Sequence, residues 1–411
     1  MRVALLLHEH GRSGGVEAIY GHARRLVLGH GVDAEVVLTN PAAREPPPAE
    51  GLRVRTLDEA RADDWDVAVA TWWETATALF ELRAPRRAVL LQNIEHRYYH
   101  DNEEGDRLGA RAVLALPVDF IVVAGWMSDL LAELRPGART RLVRYGIDKA
   151  VFAPRKRRER AGALRVLVDG QPSVWWKGVQ DAVFAVRRMS EPHELTVVAL
   201  DPDHATGLDA DRVVGGLDAD GMAALYAESD VLVKLARFEG FGLAPLEAFH
   251  LGVPCVVTPY TGHEEYVRHG ENGVVAGFDD PDGVAHWLDL LARDRDLLER
   301  VSAGALATAA GWTNPEQSTA TLAGALTELS EQPAPSSDVA FAGLLHDIRL
   351  SAELARDGGA ADAAELARAH SLIEEISYRY EAGKAELEGL TSTRAYRAAL
   401  AARRVLDVVR R

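Results

Sequence analysis

Short apolar runs alternate with amphipathic stretches along the first 150 residues. The runs are rich in Val, Leu and Ala and have no polar face, which is typical of parallel strands covered on both sides. The amphipathic stretches, such as 16–31 and 125–137, have the spacing of helices. The pattern therefore predicts an α/β domain with a parallel sheet. Its expected strands are 2–7, 33–39, 66–71, 87–92 and 119–125.

The same rhythm begins again after a charged break at 153–163, which indicates an interdomain linker. We predict two doubly wound, Rossmann-like domains, at 1–150 and 163–330. Ligands of such sheets lie beyond the carboxyl ends of the strands, so we expect a site in a cleft between the domains. The expected strands of the second domain are 164–170, 194–200, 230–236, 254–259 and 272–277. Its expected helices are 177–190, 219–228, 243–252, 280–294 and 295–310.

The pattern changes after residue 330. A linker, EQPAPSSD, leads into 338–411, which is rich in Ala, Glu and Arg and has a wholly helical character. The tail at 391–411 holds six arginines against one aspartate, Asp407, and gathers alanines on one face. A basic amphipathic helix of this kind binds an anionic membrane surface or packs on another helix. We therefore expect peripheral membrane contact or homo-dimerisation through this C-terminal helical extension.

Composition and charge narrow the functional classes. Hydrophobic residues make up 47% and charged residues 26% of the 411 residues, as in globular proteins. The formal net charge of −16 argues against a nucleic-acid partner, since such binding needs clustered Lys and Arg. The single cysteine, Cys255, excludes a disulfide framework and a cysteine-based zinc site. No apolar run is long enough to span a membrane, and the run at 3–7 is too short for a signal peptide. The expected location is the cytoplasm, where any membrane contact is with the inner face.

The stretch EGFGLAPLE holds two glutamates, Glu239 and Glu247, with seven residues between them. The pattern predicts a strand that runs into a glycine-rich loop and then a short helix. Unpaired N–H groups at such a helix start bind anions, while neighbouring carboxylates accept hydrogen bonds from sugar hydroxyls. These groups together suit a diphosphate flanked by hydroxyls, as in a nucleotide sugar. The backbone groups concerned belong to Gly240, Phe241, Gly242 and Leu243.

Residues 239–254 closely resemble the E-x7-E signature of the retaining glycosyltransferases of family 4, which have the GT-B fold. The segments 145–154 and 262–277 are similar to further parts of that family. The segments ATWWETA (70–76) and VLLQNIEHRYYHD (89–101) are similar to bacterial rhamnosyltransferases and related enzymes of polysaccharide biosynthesis. The resemblance implies a hexosyltransferase that moves a sugar from a nucleotide sugar to a hydroxyl of a glycan, a lipid-linked glycan or a natural product, with retention of configuration.

The resemblance also implies which residues bind the donor. Gly14 and Gly15 are similar to the family's glycine loop, which faces the donor phosphates. Lys177 matches the lysine that grips the diphosphate, but Gln171 stands where the family has an arginine. A neutral amide cannot replace a bidentate, permanently charged guanidinium, so weaker diphosphate binding is expected. Glu247 is expected to bind the ribose hydroxyls.

The candidate catalytic residues are Glu239, Glu95 and His96. Glu239 is expected to contact the donor sugar. The family places a polar residue opposite the reacting sugar after a strand of the first domain, and Gln92 and Asn93 fit that position as well as Glu95 and His96 do. In the mechanism that the resemblance implies, the leaving diphosphate takes the proton of the acceptor hydroxyl.

We expect neither a cofactor nor a metal ion. The DPD triplets at 201–203 and 280–282 fit turns better than metal sites, and Lys177 with helix N-termini can hold the leaving group's charge. The tryptophan pair at 72–73 is expected either to pack internally or to form a stacking platform for a sugar. Two alternative functions stay open: a non-catalytic nucleotide-sugar-binding protein, and a sugar-nucleotide epimerase on the same fold.

Overall fold

The structure is a computed structural model that describes residues 1–11, 13–40, 51–100, 103–134, 138–155 and 162–332. Its internal contacts divide the chain into two compact units. Among the described residues, unit 1 comprises Met1–Val143 and 319–332, and unit 2 comprises Arg144–Ser318. Each unit is built on one parallel sheet, as the hydrophobic pattern predicts.

The sheet of unit 1 has seven strands. These are β1 (Arg2–Leu7), β2 (Asp33–Leu38), β3 (Arg53–Thr56), β4 (Val67–Ala70), β5 (Arg86–Leu91), β6 (Asp119–Val122) and β7 (Thr140–Leu142). Their order is β3-β2-β1-β4-β5-β6-β7, and every pairing is parallel. The central strands are buried because they are made of Val, Leu and Ala. The first helices are α1 (Gly14–Gly29), α2 (Leu57–Ala60), α3 (Glu104–Val113) and α4 (Gly125–Leu134).

The sheet of unit 2 has six strands. These are β8 (Leu164–Asp169), β9 (His193–Ala199), β10 (Arg212–Gly215), β11 (Val231–Lys234), β12 (Cys255–Val257) and β13 (Gly273–Val275). Their order is β10-β9-β8-β11-β12-β13, again all parallel. The helices are α5 (Val179–Val186), α6 (Ala219–Glu228), α7 (Leu243–His250), α8 (Pro281–Arg293), α9 (Arg295–Gly311) and α10 (Pro315–Glu331). Valines of β8, β9 and β11 form the core with alanines and leucines of α5 and α8.

Each sheet has one point where the strand order reverses direction: between β1 and β4 in unit 1, and between β8 and β11 in unit 2. The loops that follow two such strands leave in opposite directions, which opens a crevice at their carboxyl ends. In unit 2, the two strands end in charged residues, Asp169 on β8 and Lys234 on β11. The topology therefore brings an aspartate and a lysine to the place where ligands of such sheets bind.

Three strands, β3, β7 and β10, do not follow from the hydrophobic pattern. Their sequences are RVRT, TRL and RVVG, and in each sheet they lie at an edge. An edge strand is only partly covered, so it carries arginines and lacks the continuous apolar run by which the central strands are recognised.

The division into units differs from the predicted domain limits. Residues 144–150 belong to unit 2, where the Ile147 amide donates to the Thr313 carbonyl over 3.1 Å. The chain returns to unit 1 at Thr319, whose hydroxyl lies 2.9 Å from Nδ1 of the buried His22. Helical periodicity predicts a helix but does not identify the sheet against which it packs.

Several predicted segments lie outside the described residues. They are the middle of the charged break at 153–163 and the extension at 338–411 with its basic tail. Membrane contact or dimerisation through that extension stays a prediction. In the part of the chain that the structure describes, no helix combines the length and the apolar character needed to cross a membrane.

Candidate functional site

The loop that follows β8 carries two of the predicted donor-site residues. The Gln171 carbonyl accepts from the Val174 amide, and the Val174 carbonyl accepts from the Lys177 amide, each over 3.0 Å. These turns place Lys177 just before α5, with its side chain 29% exposed. The Gln171 side chain turns the other way, where its Oε1 accepts from the Asp201 amide over 3.2 Å. The loop thus presents one cation, Lys177, while the neutral Gln171 holds the neighbouring loop.

Glu239 is held between two lysines. Its carboxylate accepts from Lys177 Nζ at 2.8 and 3.0 Å, and Lys234 Nζ lies 3.3 Å from Oε1. Burial alone would raise the pKa of Glu239, but the ammonium groups of Lys177 and Lys234 outweigh it and lower that pKa. Burial conversely opposes the charge of Lys234, yet Glu239 and Asp169 raise the pKa of Lys234 overall. Glu239 and Lys234 are therefore both charged at neutral pH.

Glu247 lies in a different environment eight residues further along. The hydroxyl of Tyr226 lies 3.3 Å from Glu247 Oε2 and 3.4 Å from Asp169 Oδ2. Burial, and then the charge of Asp169, raise the pKa of Glu247 to about 7. Because Lys234 Nζ lies 3.7 Å from Asp169 Oδ1, one polar network connects Glu247 to Glu239 through Tyr226, Asp169 and Lys234.

The loop between the two glutamates has the predicted form. Gly242 caps α7 with φ +83°, and a Cβ there would lie 3.0 Å from the hydroxyl of Tyr260, so this position requires glycine. Phe241 is buried against Tyr266 and Trp312, so it offers a ligand only its backbone. The helix begins at Leu243, and Glu247 lies one turn inside it. The start of α7 therefore lies directly beside the carboxylate pair.

The glycine pair of unit 1 opens α1, and Ser13 caps this helix by accepting from the Val16 amide over 3.3 Å. Gly15 lies against the residues that follow β5. A Cβ on Gly15 would be 2.6 Å from Oε1 of Gln92. The fold thus brings the Gly14–Gly15 loop to Gln92, the first of the four open candidates at 92–96.

The other three candidates differ in what their side chains contact. Asn93 is buried, and its Oδ1 accepts from the Ile94 amide over 2.7 Å. Glu95 is also buried, and its Oε2 accepts from the Trp73 amide over 2.6 Å. Burial raises the pKa of Glu95 well above its ordinary value. His96 has a buried Nδ1 with no hydrogen-bond partner among the described residues, and burial lowers its pKa to about 4. His96 is therefore neutral at pH 7 and retains an uncommitted polar atom.

The two tryptophans of unit 1 differ in their burial and in their contacts. Trp73 is buried, and its Nε1 donates to the Tyr99 hydroxyl over 2.7 Å. Trp72 is half-buried and stacks on Tyr98 with ring centroids 5.8 Å apart. Beside it, Glu74 Oε2 accepts from Trp72 Nε1 over 3.0 Å and faces a cavity of about 270 Å³. The cavity is lined by His8, Thr39, Asn40, Leu57, Glu74, Thr77, Ala78 and Glu81.

Three residues of the polar network were not predicted: Asp169, Tyr226 and Lys234. A signal was present for Lys234, because a lysine in a strand that is otherwise apolar must find a buried counter-ion. The DPD triplets have the predicted turn role, since Asp201 caps a short turn and Asp280 caps α8. Among the described residues, no group of three or more His, Cys, Asp or Glu is placed to hold a metal ion.

Residues 203–307 match the family model described as Glycosyl transferases group 1. That segment lies within unit 2 and includes Lys234, Glu239 and Glu247. A glycogen synthase of Mycobacterium tuberculosis is 30% identical over 262 residues, which cover 57% of this chain and 62% of that protein. The chain thus spans less than two thirds of that relative's length.

Solved structures share the fold at low sequence identity. Sucrose-phosphate synthase from Thermosynechococcus elongatus matches with a TM-score of 0.68 and 15% identity, over 80% of this chain and 98% of its own. Anabaena Alr3699/HepE, solved in complex with UDP-glucose, matches with a TM-score of 0.64 and 16% identity, over 80% of this chain and 100% of its own. These similarities confirm the predicted GT-B fold class with two Rossmann-like units.

We expect Gly178→Ala to destabilise unit 2. Gly178 follows Lys177 with φ +61°, and an added Cβ would lie 1.9 Å from the Leu235 carbonyl oxygen after β11. The strained backbone and the clash together should lower the free energy of unfolding by about 2–4 kcal/mol. Urea unfolding followed by tryptophan fluorescence measures the loss. Gly311→Ala is the control, since a Cβ there meets nothing within 4 Å. Equal unfolding midpoints for the two variants would contradict the expectation.

Glu247 should make stability depend on pH. Its pKa rises from 4.5 to about 7 on folding, so its stabilising contribution is complete below pH 4.5 and is lost as pH rises through 7. Glu247→Gln has no carboxyl to titrate, so it does not lose this stability. Between pH 5 and pH 8, the free energy of unfolding of the wild type should therefore fall relative to that of Glu247→Gln by at most about 3 kcal/mol. Thermal unfolding at both pH values tests this, with the exposed Glu271→Gln as control. Parallel pH curves for wild type and Glu247→Gln would refute the assignment.

Proposed function

We propose that the chain is a nucleotide-sugar-dependent glycosyltransferase that acts with retention of configuration, as in family 4. The observation that carries this proposal is the Lys177–Glu239–Lys234 cluster beside the start of α7, at the reversal point of the unit 2 sheet. A diphosphate binds Lys177 and the N–H groups at 240–243, because cations and helix starts both stabilise phosphate charge. The match of residues 203–307 to the glycosyltransferase group 1 model supports the same assignment.

The two glutamates bind the two ends of the donor in this proposal. Glu239 is ionised between its lysines, so it accepts hydrogen bonds from hydroxyls of the donor sugar. Glu247, joined to Tyr226, takes the ribose hydroxyls. The Alr3699/HepE structure holds UDP-glucose on the same fold, which supports a nucleotide sugar as the donor class.

The chemical step is a transfer in which the donor diphosphate leaves. The acceptor oxygen forms a bond to the anomeric carbon as the bond to the phosphate oxygen breaks on the same face, and the acceptor proton moves to that phosphate oxygen. Lys177 and the start of α7 stabilise the charge that develops on the diphosphate. We propose that this positive charge is sufficient without a metal ion. Because two ammonium groups hold the Glu239 carboxylate, its part is binding and electrostatic rather than nucleophilic attack.

The acceptor is assigned to unit 1. Of the four candidates, we propose His96, which is neutral at pH 7, as the one that contacts an acceptor hydroxyl. The half-buried Trp72 and the cavity beside Glu74 suit a sugar, whose ring faces stack on aromatic rings while its hydroxyls bond to polar groups. We therefore propose a sugar or glycolipid acceptor, which agrees with a role in polysaccharide biosynthesis.

Nucleoside diphosphates should stabilise the protein through Lys177. In a thermal-shift screen of UDP, GDP, dTDP and ADP, the matching diphosphate at a hundredfold over its Kd should add about 2.7 kcal/mol of stability. Lys177→Ala should nearly abolish the shift, whereas Lys149→Ala, the control, should keep it. Release of free nucleoside diphosphate from the matching nucleotide sugar, unaffected by EDTA, then separates a transferase from a binding protein. Full binding by Lys177→Ala would move the phosphate site elsewhere.

Glu247→Ala should weaken use of the donor in particular. If Glu247 binds the ribose, its removal raises the donor KM and costs about 1.5–3 kcal/mol in kcat/KM, the range of hydrogen bonds to charged groups. The KM for the acceptor should not change, and the exposed Glu271→Ala should behave as the wild type. Steady-state kinetics with donor and acceptor varied in turn measure both effects. A folded Glu247→Ala protein with an unchanged donor KM would falsify the role.

A further inference from the structure

Lys234 is a buried cation in an apolar strand. It is the last residue of β11, whose other members are Val231, Leu232 and Val233, and only 4% of its side chain is exposed. A buried ammonium is retained only where carboxylates compensate for its lost hydration. Here, Nζ lies 3.3 Å from Glu239 Oε1 and 3.7 Å from Asp169 Oδ1.

The two lysines around Glu239 differ in their access to a ligand. The Lys177 side chain is 29% exposed, and its four-carbon stem can turn toward a phosphate in solvent. Lys234 is enclosed and reaches Glu239 from the interior. When Lys177 binds a phosphate, it is drawn away from a carboxylate whose side chain is only 10% exposed. That carboxylate then needs another counter-ion or a proton, because an unpaired buried charge is strongly unfavourable.

We propose that Lys234 is a positioning residue of the donor site, a permanent counter-ion that keeps Glu239 ionised and in place while Lys177 binds the donor diphosphate. This inference rests on the proposed function and adds a residue to the same site. Lys234 does not touch the diphosphate. It compensates the charge of Glu239 when Lys177 moves to the diphosphate, so that diphosphate binding does not leave an unpaired buried carboxylate. Lys234 also lies beside Asp169, so it compensates the negative charge of this carboxylate between Glu239 and Glu247.

The groups that face Glu239 come from several elements. Lys177 approaches from the loop before α5, Lys234 from β11, and the hydroxyl groups of Tyr260 and Tyr266 lie near enough to feel its charge. Burial raises the pKa of both tyrosines well above the ordinary value, so neither supplies a charge at neutral pH. Without Lys234, the charge that balances Glu239 during diphosphate binding must come from a proton.

The test compares Lys234→Met with Lys234→Arg. Methionine keeps the length of the side chain and removes the charge, whereas arginine keeps the charge. The probe is whichever of UDP, GDP, dTDP and ADP the wild type binds, with the matching nucleoside monophosphate as a second ligand. Titration calorimetry should show the diphosphate bound about tenfold more weakly, or worse, by Lys234→Met and within about threefold of wild type by Lys234→Arg. The monophosphate should lose less affinity than the diphosphate.

Proton uptake distinguishes this role from a merely structural one. Titrations in buffers of different ionisation enthalpy should show that Lys234→Met takes up about one proton on binding the diphosphate at pH 7, and that the wild type takes up fewer. The double variant Lys234→Met with Glu239→Gln has no buried carboxylate to neutralise. It should bind the diphosphate more tightly than Lys234→Met alone and without the additional proton.

The outcomes separate the inference from the function on which it rests. A wild-type chain that binds none of the four diphosphates overturns the proposed function and this inference together. A wild type that binds one of them, beside a Lys234→Met protein with the same Kd and no additional proton, overturns the inference alone. If Lys234→Met does not fold, the double variant tests the inference. Diphosphate binding by the double variant with an affinity near that of the wild type supports the counter-ion role. Loss of diphosphate binding by a folded double variant overturns it.

Discussion

The chemistry of unit 2 depends on one buried carboxylate, that of Glu239, held between the ammonium groups of Lys177 and Lys234. Such a carboxylate is tolerable only where a counter-ion lies beside it, and the fold brings both lysines to Glu239. Lys234 ends β11, and Lys177 stands in a turn that Gly178 allows to approach the backbone after β11 closely. The charges are therefore positioned by the sheet and not by flexible loops alone.

The sheet supplies this arrangement because parallel strands present their carboxyl ends at one edge. Where the order reverses between β8 and β11, the loops diverge, and the ends of both strands are open to polar side chains. Asp169 and Lys234 occupy those two ends, and the start of α7 follows directly. The match to a glycosyltransferase group 1 domain falls on this same region, so the architecture and the sequence similarity point to one place.

The sequence predicted the parts of the fold in which a single physical signal dominates. A central strand such as β4 is a continuous apolar run, and α6 at 219–228 was predicted with its observed limits. The edge strands β3, β7 and β10 were missed because their arginines and partial exposure interrupt the apolar run. The division into units was missed because a contact such as that of His22 with Thr319 joins residues nearly 300 positions apart, which no local pattern records.

The candidate site shows the same limit. Glu239, Glu247 and Lys177 stand in loops or at a helix start, where the local sequence suggests a ligand, but Lys234 was counted as part of a strand.

Only the three-dimensional structure shows that the two glutamates, eight positions apart, occupy opposite electrostatic environments. Glu239 has two cations beside it, and its pKa is lowered; Glu247 has a second carboxylate, Asp169, across the Tyr226 hydroxyl, and its pKa is raised to about 7. The same residue type thus provides a permanent anion at one end of the site and, at the other, a carboxyl that can accept or donate a hydrogen bond near neutral pH. In the proposed function, the fixed anion orients the donor sugar and the adjustable carboxyl accommodates the ribose, which suits a donor with a charged middle and hydroxyls at both ends.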